Sequence, residues 1–372
     1  MSSAVLALDF PLQTRNRKTG GRASALRFRD AQSRAHAHGR GRNGRNRRQR
    51  DRFRLHTHPV TSIVIPAHNE ERVIGRLLDA LAAGSTASTP PLSGTVKSTP
   101  GYGSSPVRGR EDLDIVVVCN GCTDGTARAA AGRPGVRVVE IATASKHLAL
   151  RTGDAHAAGF PRLYVDADVV IAAADVRQLA AAVSSGPVLA AAPGRDLPLA
   201  GCAWPVRAYY RIWQRLPAVR DGLFGRGVIA LSEQGHARVA GLPPLMADDL
   251  AVSLAFTPAE RRVVENARVT VLPPRTWSDL IRRRIRAGTS TGQLERHQAE
   301  STTGESGGPA PAPPSARTST ADLRGLLRRE PWLLPHLAVF LSVALVARRK
   351  SGKALRQGDF GTWLRDESSR GD

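Results

Sequence analysis

Short apolar runs alternate with helical periodicity between residues 60 and 171. Four runs rich in β-branched residues, each bounded by Gly, Pro or polar positions, predict buried strands, and the segments between them space their apolar residues as helices do. The predicted strands cover residues 60–65, 113–119, 136–142 and 162–171. We expect Pro66 to stop the first strand and Asn69 to cap the helix that follows. The alternation predicts a doubly wound, mostly parallel α/β sheet with helices on both faces.

The pattern is less regular beyond residue 171. "GLFGRGVIALSEQG" is a glycine-rich approach to a short strand, "LMADDLAVSLAF" places two carboxylates at a helix start, and residues 275–294 form a basic helix. Composition divides the chain further. We expect a disordered Arg-rich tail at 1–59, a main domain at 60–298 with a mobile loop insertion at 84–110, a linker at 299–320 and a C-terminal helical segment at 321–372.

Positive charge is concentrated at the N-terminus. Residues 1–58 carry fifteen basic and three acidic residues, more than half of the formal net charge of +22. Such a tail attracts phosphates, which raises the alternative of a nucleic-acid-binding protein acting through it. Its aromatic residues are only Phe10, Phe28 and Phe53, too few to stack many bases. We therefore expect no specific nucleic-acid partner.

The chain has three cysteines, two of them in "VVVCNGCTDGT" as Cys119 and Cys122. This C-x-x-C spacing is compatible with a redox dithiol or half a zinc site, although no second C-x-x-C supplies the other zinc ligands. The neighbouring Asn, Asp, Thr and Gly residues favour a turn that binds a ligand. Few cysteines and the absence of a secretory signal predict a reducing, cytoplasmic location.

Two acidic pairs follow apolar segments. Asp166 and Asp168 are either solvated loop residues or oxygen ligands for Mg²⁺ or Mn²⁺ beyond the end of a buried strand. Asp248 and Asp249 either cap a helix or supply a general base, and one aspartate can do each job. Lys146 and a cluster of four arginines offer cations for a diphosphate leaving group. The four arginines are Arg282, Arg283, Arg284 and Arg286.

An apolar segment near the C-terminus, residues 332–347, is followed by Arg348, Arg349 and Lys350. It contains Pro335 and is shorter than the roughly 18–20 residues of a membrane span. The pattern fits a helix at a membrane interface or a C-terminal helix packed on the sheet.

Six motifs occur in the order found in family 2 inverting glycosyltransferases of the GT-A fold. They are "SIVIPAHNEE", "VVVCNGCTDGT", "KHLALRTGD", "YVDADVVI", "FGRGVIALS" and "ADDLAVSL". The sequence resembles this family over roughly residues 60–290, and it is most similar to actinobacterial members in cell-envelope glycan, glycolipid or secondary-metabolite synthesis. The resemblance implies transfer of a sugar from a nucleoside-diphosphate sugar to an acceptor hydroxyl, with inversion.

The resemblance also implies roles for individual residues. Asp166 and Asp168 would hold the ribose and a divalent cation, Mg²⁺ or Mn²⁺, and Asp249 beside Asp248 would be the catalytic base. The nucleotide-sugar site would comprise Pro66, Ala67, Asn69, Glu70, Asn120, Asp124, Lys146 and Asp166. The acceptor side would comprise Gly225, Gly227, Arg283 and Arg284. A lipid-linked acceptor would place the enzyme at the inner face of the plasma membrane, in peripheral contact with it.

Three positions depart from the family pattern. Asn120 stands where many members carry Asp, Arg151 where many carry Asn, and Asp248 where many carry Glu. The Q-x-x-R-W signature of processive synthases is absent. Processive polymer synthesis is therefore not expected.

Overall fold

The computed structural model describes residues 60–83, 113–242, 248–302 and 318–357. The side chains of Asp248 and of residues 297–302 are outside this description. The expectations for the tail, for the loop insertion at 84–110 and for most of the linker fall on residues that are not described.

One eight-stranded sheet organises the described residues, in the order β3-β2-β1-β4-β7-β6-β8-β5. The strands are β1 (Ser62–Ala67), β2 (Asp114–Asn120), β3 (Val136–Ile141), β4 (Arg162–Val165), β5 (Val169–Ile171), β6 (Ala190–Asp196), β7 (Val228–Leu231) and β8 (Arg261–Val271). Strands β3, β2, β1 and β4 run parallel, β7 is antiparallel to both neighbours, β6 is parallel to β8, and β8 is antiparallel to β5. The predicted α/β class is confirmed, and its antiparallel pairings are β4 with β7, β7 with β6, and β8 with β5.

Helices connect and cover these strands. They are α1 (Ile74–Ala83), α2 (Thr126–Ala131), α3 (Lys146–His156), α4 (Ala173–Ser184), α5 (Trp204–Trp213), α6 (Pro217–Asp221), α7 (Glu233–Val239), α8 (Asp248–Leu254), α9 (Trp277–Thr302), α10 (Thr320–Arg329) and α11 (Leu334–Gln357). A short 3-10 turn, Pro331–Leu333, precedes α11.

The alternation of side chains along β2 explains why the sheet is covered on both faces. Val117 and Cys119 enter the core under α1 and α4, whereas Val116 and Val118 pack with Ala149 of α3 on the opposite face. Both sets are buried, so the strand reads as a continuous apolar run, as parallel strands with two covered faces do.

Three local expectations are wrong. Strand β1 continues through Pro66, which pairs with Val118. Helix α1 begins at Ile74, too far along the chain for Asn69 to cap it. The run 162–171 is two strands, because the chain leaves the sheet centre after Val165 and re-enters at the edge beside β8. The aspartates of "DAD" therefore lie in the connection between two strands.

Helix α11 packs on helices α5, α9 and α10, which corrects the expectation that it packs on the sheet. Phe340 of α11 stacks on Tyr209 of α5, with ring centroids 5.2 Å apart. Gly288 and Gly292 of α9 face α11, where a Cβ at Gly292 would lie 2.5 Å from Leu355 Cδ1. These glycines allow the two helices to approach closely. Among the described residues, one segment, Pro331–Gln357, is long and apolar enough to cross a membrane by length and composition alone.

Candidate active site

The loops that follow β1 and β2 are joined by polar contacts. Asn69 adopts a left-handed backbone (φ 53°), and its Oδ1 accepts a hydrogen bond from the Thr123 amide at 2.7 Å. The Asn120 side-chain amide donates to the Ala67 carbonyl at 2.8 Å, and the Glu70 amide donates to Thr126 Oγ1 at 2.8 Å. The structure thus brings the predicted nucleotide-site residues of the two loops together at the carboxyl ends of adjacent parallel strands, where α/β sheets bind ligands.

Asp124 is part of this junction between the loops. Its carboxylate accepts hydrogen bonds from the backbone amides of Thr126 at 3.0 Å and Glu71 at 3.2 Å. Burial acts to raise the pKa of Asp124, but these bonds and one from the Thr126 hydroxyl outweigh it, so the pKa is lowered. The carboxylate is therefore ionised at neutral pH and holds the loops in place.

The cysteines occupy the same turn without forming a disulfide. Burial, followed by the proximity of Cys122, raises the pKa of the Cys119 thiol to about 12. Cys122 Sγ lies 3.5 Å from the Ala67 carbonyl oxygen. A cavity of about 300 Å³ opens beside them, lined also by Gly121, Thr123 and residues 140–142. A protonated, buried Cys119 is a poor redox nucleophile.

The Asp166–Asp168 turn lies beside the start of α3. Lys146 Nζ is 2.8 Å from Asp166 Oδ1, and both side chains are partly exposed. Asp168 is half-buried two residues further on. Among the described residues, no group of three or more His, Cys, Asp or Glu side chains is gathered for a metal. The two carboxylates supply hard oxygen donors of the type that Mg²⁺ and Mn²⁺ take together with phosphate oxygens.

The loop "GRG", residues 225–227, supports both acidic positions. The Gly225 amide donates to Asp249 Oδ2 at 2.7 Å, and the Gly227 carbonyl accepts from the Asp166 amide at 2.7 Å. Gly225 and Gly227 have φ angles of 65° and 67°, a region in which only glycine is relaxed. This loop therefore connects two aspartates that are far apart in sequence.

Two arginines hold the loop from behind, Arg226 buried and Arg195 half-buried. Arg226 donates to the carbonyls of Gly222, Pro193 and Arg220 at 3.0, 2.7 and 2.7 Å. Arg195 lies over the Trp213 ring and donates to the Gly225 carbonyl at 3.2 Å. Burial lowers the pKa of Arg195 to about 9 and that of Arg226 to about 10. No role was predicted for either side chain from the sequence, although an Arg between two glycines was a signal for Arg226.

A cavity of about 120 Å³ lies beside Asp166 and Asp249. Pro66, Lys146, Asp166, Gly227 and Asp249 all line it. The structure thus gathers predicted nucleotide-side, acceptor-side and catalytic residues around one space. Asp248 begins α8 beside it, and Asp249 Oδ1 accepts from the Leu250 amide at 2.7 Å.

A polar network borders this cavity through Asp154 and Tyr164, and no motif in the sequence predicted it. Asp154 accepts hydrogen bonds from Arg162 at 2.8 Å and from the Tyr164 hydroxyl at 2.9 Å, and His236 Nε2 lies 3.3 Å from its other oxygen. Burial acts to raise the pKa of Asp154, but its partners, led by His236, outweigh it and lower the pKa. Burial raises the pKa of Tyr164, so its hydroxyl stays protonated.

The two predicted acceptor-side arginines lie on α9, apart from the residues that line this cavity. Arg283 Nη1 donates to the Leu272 carbonyl at 3.1 Å, and the Arg284 guanidinium lies 5.8 Å from the Tyr209 ring centroid. Both contacts join α9 to its surroundings in the fold.

Comparison with known proteins identifies the class of enzyme. Residues 62–221 match the sequence model of the family described as Glycosyl transferase family 2. This segment contains β1 to β6, both loops of the nucleotide side and the Asp166–Asp168 turn. The chain is thus an enzyme of the glycosyltransferase class.

The chain is similar to the solved structures of two glycosyltransferases. A mannosyltransferase from Pyrobaculum calidifontis, in complex with GDP-Man and Mn²⁺, is 21% identical, with 84% of this chain and 85% of that chain covered and a TM-score of 0.48. Glucosyl-3-phosphoglycerate synthase from Mycobacterium tuberculosis, in complex with Mn²⁺, UDP and glucosyl-3-phosphoglycerate, is 18% identical, with 59% and 71% covered and a TM-score of 0.36. No curated protein matches the chain at a significant level.

Proposed function

We propose that this glycosyltransferase moves a sugar from a nucleoside-diphosphate sugar to an acceptor hydroxyl with inversion, in a non-processive reaction. The observation that carries the proposal is the connection of Asp166 and Asp249 through one glycine loop, on a cavity that also contains Lys146. A donor-binding carboxylate and a base must both lie close to the same anomeric carbon.

The nucleotide would lie over the loops after β1 and β2, with Asn69, Glu70, Asn120 and Asp124 shaping that surface. Lys146 would offset the negative charge that gathers on the departing diphosphate. Asp168 and Asp166 fit a divalent cation, Mg²⁺ or Mn²⁺, which when bound would neutralise the same charge.

Asp249 would remove the proton from the acceptor hydroxyl as it attacks the anomeric carbon from the face opposite the diphosphate. Its two oxygens accept from the Gly225 and Leu250 amides, which fixes the direction of the carboxylate. A single displacement with this base inverts the anomeric centre. Gly225 and Gly227 would border the acceptor side, and we propose a lipid-linked acceptor for cell-envelope synthesis at the inner face of the membrane.

The test is Asp249→Asn, which keeps the size of the side chain and removes the base. Transfer should fall by about 10²–10⁴-fold, the usual contribution of a general base, while nucleoside-diphosphate affinity stays within about threefold. Glu233→Gln, an exposed carboxylate on α7, is the matched control and should leave both unchanged. Product anomers read by NMR report inversion. Full transfer by Asp249→Asn, or a retained anomeric configuration, would refute the mechanism.

The alternative, nucleic-acid binding through residues 1–59, rests on residues outside the described part of the chain. No structural observation favours it.

A further inference from the structure

Helix α11 has two apolar faces, and only one of them is covered. Leu337, Phe340, Val343 and Ala347 are buried in the core shared with α5, α9 and α10. Leu334, Leu341 and Leu345, on the other side of the helix, are 62%, 40% and 51% exposed. Their spacing of seven and four residues places them on one stripe, together with exposed Ala338. This stripe, residues 334, 338, 341 and 345, is called the outer stripe below.

Two exposed tryptophans border the outer stripe at its N-terminal end. Trp332 is 64% exposed and Trp204 is 52% exposed. Trp204 lies near α11, with its ring centroid 6.3 Å from that of His336. Tryptophan is enriched where a protein meets the boundary between lipid and water, because its ring is apolar and its N–H is polar.

Positive charge borders the outer stripe at its other end. Arg348, Arg349 and Lys350 follow it directly and are exposed, as are Lys353 and Arg356. Residues 318–357 carry eight basic and two acidic residues. Both acids have partners within the fold: Asp322 caps α10, and Glu330 pairs with Arg215 at 3.0 Å. The charge available around the stripe is therefore positive.

We infer that the outer stripe of α11, with Trp204 and Trp332, docks the enzyme on an anionic membrane surface. An apolar stripe with aromatic residues and neighbouring lysines and arginines has the composition of a helix that lies in the interface. The basic residues complement anionic headgroups, each adding about fivefold to binding near such a surface. A second copy of the chain fits less well, because it would bring the same positive charges together.

The helix lies along the membrane and does not cross it. From Leu334 to Leu345 the stripe is about 17 Å long at 1.5 Å per residue, well short of the roughly 30 Å hydrocarbon core. The last ten residues of α11 contain five basic side chains. Insertion across the bilayer would also strip Phe340 and Val343 from the core that they now share with α5.

Docking would bring the acceptor side of the enzyme close to lipid. Helix α5 begins at Trp204, on the docking surface, and ends at Trp213, whose ring lies against Arg195, the residue that donates to the Gly225 carbonyl. Nine helical steps lead from one tryptophan to the other, or about 14 Å. The docking itself does not depend on the proposed function, but this proximity adds to the case for a lipid-linked acceptor.

The test is sedimentation of the full-length protein with vesicles of phosphatidylcholine containing 30% phosphatidylglycerol, at low and at 0.5 M salt. The double variant Leu341→Gln with Leu345→Gln should bind the vesicles at least tenfold more weakly. It should also lose the binding that persists at 0.5 M salt. Leu148→Gln, at a leucine that is also 40% exposed but lies on α3, is the matched control and should bind like the wild type. Thermal melting of each variant, expected to match the wild type, verifies folding.

Fluorescence separates docking by α11 from attraction of the basic N-terminal tail, which contains no tryptophan. Brominated lipids should quench the wild-type emission, and Trp204→Phe with Trp332→Phe should lose most of that quenching. Equal binding by the double glutamine variant, unquenched tryptophan, or a stripe-dependent dimer in light scattering without vesicle binding would each overturn the inference. Because these readouts use no donor, their outcome is independent of the Asp249→Asn result.

Discussion

Replacing Gly227 by Ala tests whether the glycine loop sets the geometry of the site. Gly227 has φ 67°, and a Cβ there would lie 2.5 Å from Val169 Cγ1 and 3.3 Å from Asp166 Oδ2. The carbonyl of the same residue receives the Asp166 amide. The added methyl group must therefore displace either Val169, which is buried, or the backbone that supports Asp166.

The cost has two parts. A non-glycine residue in the left-handed region costs roughly 1–2 kcal/mol, and overpacking a dense site adds roughly 1–3 kcal/mol. Gly227→Ala should thus lower the free energy of unfolding by about 2–5 kcal/mol. Gly186→Ala separates the two parts, because Gly186 has φ 86° and a Cβ there would meet nothing within 4 Å. Its cost should be about 1–2 kcal/mol.

Urea unfolding measures the stability of both variants, and calorimetry measures nucleoside-diphosphate binding. Gly227→Ala should also weaken nucleotide binding by about tenfold or more, because displacement of Asp166 moves a donor-binding group. Gly186→Ala should bind like the wild type. If the two variants lose equal stability and both keep full affinity, the loop does not position Asp166 and the reasoning fails.

Three further predictions concern the side chains of Cys119, Asp154 and Arg195. The Cys119 thiol, with its pKa raised to about 12, should resist iodoacetamide at pH 8 in the native protein and react on unfolding, as mass spectrometry would record. Asp154→Asn should cost about 3 kcal/mol at pH 7 because it removes the charged partner of buried Arg162. Because the pKa of Asp154 is lower in the folded protein than its value of about 4 in the unfolded chain, the ionised carboxylate stabilises the fold above pH 4. This stabilisation is lost as the pH falls below 4. The difference between the unfolding free energies of the wild type and Asp154→Asn, measured in urea, should therefore narrow in acid. Arg195→Lys should lower kcat about tenfold or more in a transfer assay, since an ammonium cannot reproduce the guanidinium contacts behind Gly225.

A specific result would contradict each of these three predictions. Rapid native alkylation of Cys119 would show that the thiol is accessible and ionised. If the difference in unfolding free energy between the wild type and Asp154→Asn does not change with pH, Asp154 does not contribute to the loss of stability in acid. For Arg195→Lys the matched control is Arg207→Lys, an exposed arginine on α5, and equal activity of the two variants would exclude a positioning role.

The first half of the sheet was predictable from sequence because its strands are buried on both faces. Continuous apolar runs such as that of β2 stand out, and the loops after them carry the chemistry. Strand β6 is mostly Ala, Pro and Gly, and the four valines of β8 lie among three arginines, a Glu and an Asn, so neither has the continuous apolar signal of a buried strand. Those strands depend on pairing with β7 and with each other, which no local pattern reports.

The candidate site was likewise predictable from the sequence only in part. Polar residues at strand ends were identifiable by type, and Asp166, Asp249 and Lys146 do meet at one cavity. The supports of the site were not identifiable. Arg195 and Asp154 act through partners many residues away, such as Gly225 and His236, and long-range contacts of this kind carry no spacing rule.

The shared glycine loop constrains how this enzyme can change. Asp166 and Asp249 are attached to the same three residues, one through the Gly227 carbonyl and the other through the Gly225 amide. A substitution that shifts the loop to suit a different acceptor therefore also shifts the residue proposed to hold the donor. New specificity should arise more readily in the segments around the loop than within it, because donor use and acceptor use cannot be adjusted there one at a time.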